Sequence, residues 1–546
     1  MKKRTLLIVT LLVGVFFVGS AFAGHANFYT VQKKYTYGTT VNFINNSDSA
    51  WGDWTEWWVN GTRYIDQSGR QNFNYTFPGP GDYTVKIVAW DYIWPIWFSS
   101  DYSATVHVYK NTYPIVLVHG FAGWGREEVS LQVRPGVNVG LRYWGAGSGD
   151  LEADMNNRGF DVYTASVGPV TSVWDRACEL YAQLMGTPVD YGPAHSALNS
   201  APYNPGFTHA RNANNRVNDT AHYTDGRLKN TKGAIIPKII EGSTKRPIHL
   251  VAHSMGGQTV RMLSSLLHKG SPNAGDKGYG IPLFDGGYNG VVRSITTLAT
   301  PHNGTNLTYL VDDLLDLVNG VGVDLLAAAT NDSVTNALNL VYKLDVDQWS
   351  PSFQTAAVSL SPGNCAAKPA FSDVSLWDLS PCGAAELNQF MTADSDVFYF
   401  SYACEQTYRW KNDNQWYSEA ADDAAYCTAL SWECENYNWG GMLLPLIPFG
   451  DGMGTNAKTT AVGLTDAWKQ NDGVVNTISA IKPDCDLSTS NGNGEVGKWL
   501  YLGLLNEDHM DVTGGFLGVG VEDLNGTNFF DFYNNLFNRL WELPRF

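Results

Sequence analysis

The hydrophobic pattern changes character once along the chain, near residue 110. Before that point the apolar positions fall in short alternating runs, Thr40-Val41-Asn42-Phe43, Tyr83-Thr84-Val85-Lys86-Ile87-Val88 and Ala104-Thr105-Val106-His107-Val108-Tyr109, separated by Gly, Asn, Ser and Pro clusters. A period of two predicts half-buried strands, and no helical period intervenes, so residues 24–110 read as a small all-β sandwich. After that point come short apolar runs, Pro114 to Val118, Asp161 to Val167, Ile248 to Val251, Val291 to Leu298 and Val397 to Tyr402. Strands apolar on both faces are buried on both faces, and helical patterns lie between several of these runs. Residues 111–546 therefore predict an α/β domain with a mainly parallel sheet covered on both sides. The helix expected after Ser254 carries Val260, Leu263 and Leu267 on one face and ends near Gly270. No internal repeat is evident.

The first 23 residues follow a different rule. Met1-Lys2-Lys3-Arg4, an apolar stretch from Leu6 to Val18 and Ala21-Phe22-Ala23 have the order of an export signal with a small-x-small cleavage site. The chain is therefore expected to be secreted, with residues 1–23 removed, and no later stretch is long and apolar enough to span a bilayer. The formal charge of −17 becomes about −20 without the leader. That excess of acid argues against nucleic acid and against electrostatic docking on anionic lipid, so attraction to any lipid surface has to be hydrophobic. Export permits disulfides. Cys178 stands alone, whereas Cys365, Cys382, Cys404, Cys427, Cys434 and Cys485 crowd the C-terminal half; Cys365 with Cys382 and Cys427 with Cys434 are the short-loop pairings expected.

Two segments before residue 110 are unusually aromatic. Trp51, Trp54, Trp57 and Trp58 lie in one, and Tyr92-Ile93-Trp94-Pro95-Ile96-Trp97-Phe98 forms the other. The second suits either a loop gripping an insoluble substrate or lipid surface, or a buried contact. The series Val41-Asn42-Phe43, Trp57-Trp58-Val59-Asn60-Gly61 and Pro80-Gly81-Asp82-Tyr83-Thr84-Val85 resembles a polycystic-kidney-disease-type (PKD) immunoglobulin-like repeat. No ligand is assigned to this module.

The chemistry begins at Ala252-His253-Ser254-Met255-Gly256, where an apolar run leads in and a helical pattern leaves. A strand turning sharply into a helix exposes a corner serine near backbone N–H groups, provided that the residues two before and two after it are tiny. Ala252 and Gly256 meet that need. A serine becomes a nucleophile when a histidine takes its proton and a carboxylate orients the histidine, and in the α/β-hydrolase order both follow it, acid first. Of the three later histidines, His268 lies on the departing helix and His302 leaves little room for an acid before it. His509, in Glu507-Asp508-His509-Met510-Asp511, fits the order. Asp472, in Asn471-Asp472-Gly473-Val474-Val475, is the acid expected, with Asp508 its competitor. The oxyanion donors expected are the amides of Met255, just after the serine, and Phe121, in the loop after the Pro114 to Val118 strand.

These residues and their flanks name a family. Pro114 to Phe121 with Gly123-Trp124-Gly125-Arg126-Glu127-Glu128, Trp174-Asp175-Arg176-Ala177-Cys178-Glu179, Val189-Asp190-Tyr191-Gly192, the Ser254 segment, Asp347-Gln348-Trp349 and Asn471-Asp472-Gly473 resemble the thermoalkalophilic bacillus and staphylococcal lipases over residues 112–515. The resemblance implies an α/β-hydrolase fold with a helical lid and a zinc subdomain, and the triad Ser254, Asp472 and His509. It also implies a structural zinc held by two Asp and two His at Asp150, His195, His209 and Asp347, with His222 competing with His209. Calcium would use Asp511 and the Gly441 carbonyl. The family's further acidic ligand falls at Phe516, so Glu522 or Asp523 would have to substitute.

Between Thr305 and Thr330, Leu307, Leu310, Val311, Leu314 and Val318 recur at helical spacing opposite Asp312, Asp313 and Asp316. A lid over an acyl pocket, opening at a lipid surface, is the functional expectation for about 305–330, and a half-buried helix the plain one. Together these features predict a secreted triacylglycerol lipase acting on lipid esters at an oil–water interface. A carboxylesterase or polyester hydrolase, or a surface-binding protein with an inactive hydrolase domain, are the alternatives.

Overall fold

A computed structural model describes residues 25–546 apart from 48–52, 94, 127–129, 135–136, 199–209, 212–226, 311–339, 342–372, 420–426, 428–432, 437–440, 445, 456–463, 485–491, 493 and 516–519. The leader therefore lies outside the described residues. So do His209, His222, Asp347, Phe516 and the lid expectation beyond Leu310. The chain forms two compact units, one ending at Thr112 and also taking in Arg158–Phe160 and Trp541–Phe546, the other made of Tyr113–Asn157 and Asp161–Leu540.

The first unit contains eight strands among its described residues: β1 (Phe28–Thr30), β2 (Tyr35–Thr36), β3 (Thr40–Asn45), β4 (Trp54–Val59), β5 (Thr62–Ser68), β6 (Phe73–Thr76), β7 (Gly81–Ile93) and β8 (Ile96–Tyr109). They form a three-stranded sheet, β1-β3-β6, and a five-stranded sheet, β2-β8-β7-β4-β5. Val41, Phe43, Trp57, Phe73, Phe77, Val85, Ile87 and Val108, drawn from both sheets, make one buried cluster. Alternation places these side chains inward, as in β3, where Val41 and Phe43 are buried and Thr40 and Asn42 exposed. The two aromatic segments differ: Trp57 is fully buried, whereas Tyr92 and Trp97, opposed across the β7–β8 hairpin, are 37% and 48% exposed.

The second unit is built on six strands: β9 (Ile115–Val118), β10 (Val162–Thr164), β11 (Ile248–His253), β12 (Val292–Leu298), β13 (Phe398–Cys404) and β14 (Trp499–Leu505). Their order in the sheet is β10-β9-β11-β12-β13-β14, and every neighbouring pair is parallel. β9, β11 and β12 are buried at every position; β9 reads as an unbroken apolar run, whereas β11 and β12 also bury His249, His253, Arg293, Ser294, Thr296 and Thr297. β14 lies at the sheet's edge and is only partly buried, although its residues are apolar throughout apart from Gly503. Helix α1 (Val173–Met185) is capped by Ser172, whose side chain accepts from the Asp175 amide, and ends on Gly186 in the left-handed region. α1 and α2 (Met255–Lys269) share a large core cluster with β9 and β11 through Val116, Val118, Leu180, Leu184, Leu250, Val260, Leu263 and Leu267.

Among the described residues no helix is long and apolar enough to cross a membrane. Cys427 and Cys434 form a disulfide, as their spacing predicts. Cys382 is also disulfide-bonded, and Cys365, its expected partner, lies outside the described residues. Cys178 and Cys404 are buried thiols, so the crowding of Cys404 with the other cysteines does not signify a bond.

Candidate active site

In an open parallel sheet, the crevice at the carboxyl ends of the central strands is where loops and helix N-termini converge. β11 ends there, and Ser254 makes the corner into α2 with φ 55° and ψ −133°, a conformation that is costly for a residue with a side chain. Its N–H donates to the Leu298 carbonyl, and its own carbonyl accepts from Thr300 Oγ1 at 2.9 Å, so the end of β12 and the turn after it hold the strained residue in place. The corner admits only very small side chains. A Cβ on Gly256 would stand 2.6 Å from the Val118 carbonyl oxygen, and one on Gly120 would stand 2.6 Å from the Cβ of Ser254. Gly120 thus brings the turn carrying Phe121 directly against the serine.

His509 follows β14 and is 3% exposed. Its Nδ1 lies 2.8 Å from Asp472 Oδ2, and its backbone N–H donates to the Asp472 carbonyl at 2.9 Å. The other Asp472 oxygen accepts from the amides of Val474 and Val475, which fixes the carboxylate within its own turn. With Nδ1–H directed at Asp472, Nε2 is the ring atom left to accept a proton. Asp508, the competing acid, spends its oxygens on the amides of Leu443, Met510 and Asp511. His302 is buried against Arg261 and Thr297, and His268 faces Asp394 and Asp396. Of the three histidines after Ser254, it is His509 that the fold brings to Asp472.

Three buried residues around this corner were not singled out from sequence. His253 precedes the serine, and its ring centroid is 4.5 Å from that of His509. Tyr143 reaches His253 Nδ1 with its hydroxyl at 2.6 Å and accepts from the Gly120 amide at 3.0 Å. Arg176, fully buried, donates to the carbonyls of His119 and Gly168 and to Thr259 Oγ1. It ties α1 to the loop after β9. Because Tyr143 occupies the Gly120 N–H, the next amide along that turn is Phe121.

The metal expectation needs a correction. Asp150 is clamped by the Arg126 guanidinium and has Arg142 Nε at 3.3 Å, so its charge is already met by two cations. His195 instead meets Asp175 on α1 and Asp373: its Nε2 is 3.3 Å from Asp175 Oδ1 and 3.1 Å from Asp373 Oδ2. Ligand atoms of these three side chains lie within 4.8 Å of one another. Asp175 is 0% exposed, and apart from its pairing with His195 neither carboxylate oxygen has a hydrogen-bond partner among the described residues. Burial, and then the Asp373 carboxylate, push its carboxyl up to about 7. Burial would lower the His195 imidazole, but Asp373 and Asp175 outweigh it and raise the group. Buried imidazole and carboxylate donors gathered this closely suit a small divalent cation of borderline hardness such as zinc. The sequence signal for Asp175 was present in Trp174-Asp175-Arg176, a motif that reads equally well as an ordinary first helical turn.

Near His509 a second group of carboxylates is crowded. Burial and then Asp508 push the Asp511 carboxyl up to about 8, and burial pushes Glu507 up to about 7. Gly441 is exposed, two residues before Leu443, whose amide Asp508 accepts. Glu522 and Asp523 are exposed.

Glu405, just after β13, is buried with no hydrogen-bond partner for Oε1 among the described residues, and burial raises its carboxyl to about 7. Its folded pKa lies above the unfolded value, so the folded state holds that proton more tightly. The ionised group then costs stability as pH rises from about 4.5 through 7. Glu405→Gln is expected to raise stability by on the order of 2–3 kcal/mol at pH 8 and to change it little at pH 4.5, read from urea melts at both pH values. An equal effect at both would refute this.

The sequence model of the family described as "Lipase-like, C-terminal domain" matches residues 111–205 and 212–424. A lipase of Staphylococcus epidermidis is 30% identical over 426 residues, which cover 76% of this chain and 51% of that protein. The chain thus spans about half the length of the curated relatives it matches. Lipase 1 from Pelosinus fermentans is 33% identical, with 79% of this chain and 99% of that chain covered at a TM-score of 0.53. EstA from Clostridium botulinum is 30% identical, covers 80% and 89%, and gives a TM-score of 0.56. The Staphylococcus hyicus lipase, at 24% identity and a TM-score of 0.55 over 79% of this chain and 96% of that one, shares the fold. With a family match over more than half its length and relatives of this kind, the chain belongs to the lipase-like C-terminal domain family.

Proposed function

We propose that the protein is a secreted triacylglycerol lipase that cleaves lipid esters through an acyl-enzyme on Ser254. The observation that carries the reading is the fixation of His509 on Asp472, by ring and by backbone, at the end of the sheet where Ser254 stands in a strained corner. His509 Nε2 takes the Ser254 hydroxyl proton as Oγ attacks the ester carbonyl. The amides of Phe121 and Met255 receive the oxyanion. His509 returns the proton to the departing alcohol, and water repeats the sequence on the acyl-enzyme. Residues 1–23 act as the export signal, residues 24–110 as a PKD-like sandwich and 111–546 as the α/β-hydrolase domain, with a lid at about 305–330.

Asp175, His195 and Asp373 are the residues that would hold a structural zinc, with His209 and Asp347 the further candidates outside the described region. Asp150 drops out of the set. Bound there, the ion would tie α1 to the segments carrying His195 and Asp373. Asp511 and the Gly441 carbonyl are the proposed calcium ligands, and a cation would relieve the crowding of Asp511 with Glu507 and Asp508.

Assay of the full chain against p-nitrophenyl butyrate, p-nitrophenyl palmitate and emulsified triolein tests the reading. Turnover of triolein that rises sharply once an emulsion forms is the expected result. Hydrolysis confined to the short soluble ester would favour a carboxylesterase, and no hydrolysis at all a binding protein.

A further inference from the structure

We propose that Tyr143 and His253 are positioning residues for this reaction, a hydrogen-bonded pair that locks the oxyanion turn, the serine corner and the histidine loop into one register. The proposal rests on the Ser254 reading above. Its geometry is continuous. The Gly120 amide lies 3.0 Å from Tyr143 Oη, Tyr143 Oη lies 2.6 Å from His253 Nδ1, and His253 Nε2 lies 2.8 Å from the His509 carbonyl oxygen. Tyr143 is 5% exposed, His253 1% and His509 3%, so water does not compete for these bonds.

Proton directions follow from the two ends. The His509 carbonyl only accepts, so His253 Nε2 must carry the hydrogen. At the other end the Gly120 amide only donates, so Tyr143 Oη receives that bond and keeps its own hydrogen for His253 Nδ1. Each group is then satisfied in one direction, with a neutral imidazole in the middle. Burial, and then the nearby His509, lower the His253 imidazole well below the ordinary histidine range, in keeping with that neutral state.

The consequence is a division of labour around His509. Asp472 fixes its ring nitrogen and its amide, and His253 fixes its carbonyl, so the residue is held at three points. The same chain removes the Gly120 amide from the oxyanion position and presents the next one, that of Phe121. Tyr143 is itself wedged in place: a Cβ on Gly123 would stand 2.7 Å from its Cε2, and its ring meets those of Trp124 and Trp144 edge-on at 5.5 and 5.7 Å. A displacement of reacting groups by about 1 Å costs about a hundredfold in rate, so a clamp of this kind acts on kcat rather than on binding.

The test uses the full chain, p-nitrophenyl butyrate and end-point titration of active sites with a chromogenic phosphonate. Tyr143→Phe removes one oxygen and is expected to lower kcat per titrated site about tenfold, with KM within about twofold. His253→Gln keeps an N–H for the His509 carbonyl and should retain at least about a third of parental turnover, whereas His253→Leu should fall to about a hundredth. Turnover per site within twofold of the parent in Tyr143→Phe overturns the proposal, and so does an equal loss in the Gln and Leu variants. Should His253→Leu not fold, Tyr143→Phe decides alone. Turnover surviving in Ser254→Ala would instead remove the reading on which the proposal rests.

Discussion

Ser254→Ala is expected to lower ester turnover by roughly five to six orders of magnitude while leaving the thermal transition within a few degrees of the parent. The size follows from the way the parts act as a unit. Without Oγ there is no acyl-enzyme, and the Asp472–His509 pair has no proton to move, so what survives is the contribution of binding and of the two oxyanion amides. Stability should hardly change, because Ser254 donates from its backbone to Leu298 and accepts there from Thr300, and no side-chain cap hydrogen bond of Ser254 to α2 is formed. Alanine still has to adopt φ near 55°, at the cost serine already bears. Rates on p-nitrophenyl butyrate, with circular dichroism melts of both proteins, check the two halves separately.

The second large effect concerns the metal. Purified protein is expected to retain about one zinc per chain after dialysis, and removing it with a chelator at pH 5 to 6 should lower the melting temperature by about 10 °C. Acid helps because protons compete for the same buried donors, Asp175 and His195, whose protonated forms are favoured when no cation is present. Asp175→Asn should lose the zinc, and Asp150→Asn should keep it, since Asp150 is engaged by Arg126 and Arg142 instead. Elemental analysis of the two variants separates the assignments. Zinc lost from the Asp150 variant and retained in the Asp175 variant would reverse the correction made above.

What was legible from sequence divides along physical lines. The Ser254 corner was readable because its requirements are local: an apolar strand, tiny residues at two fixed offsets and a helical pattern beyond. The pairing of His509 with Asp472 was readable from chain order, although the two stand 37 residues apart. β9 was readable because complete burial leaves an unbroken apolar run, and β11 and β12 because apolar residues outweigh or frame the polar ones they bury. β5, exposed over most of its length, leaves no such signature, whereas β14 carries an apolar run that was not singled out. Tyr143 and His253 were invisible for another reason. Their meeting spans 110 residues, and nothing in the local pattern of either says that a hydroxyl and an imidazole will face each other in the core. The resemblance that suggested Asp150 does not reveal which carboxylate an arginine will claim, and the fold pairs Asp150 with Arg126 and Arg142.

The most direct measurement of the central claim is covalent. Treating the full chain with diethyl p-nitrophenyl phosphate and mapping the adduct by peptide mass spectrometry should find one diethylphosphoryl group per chain, on Ser254, with ester hydrolysis lost in proportion to labelling and Asp472→Asn labelled far more slowly. Complete inhibition with the phosphoryl group on another residue, or full labelling of Ser254 with hydrolysis unchanged, would contradict it.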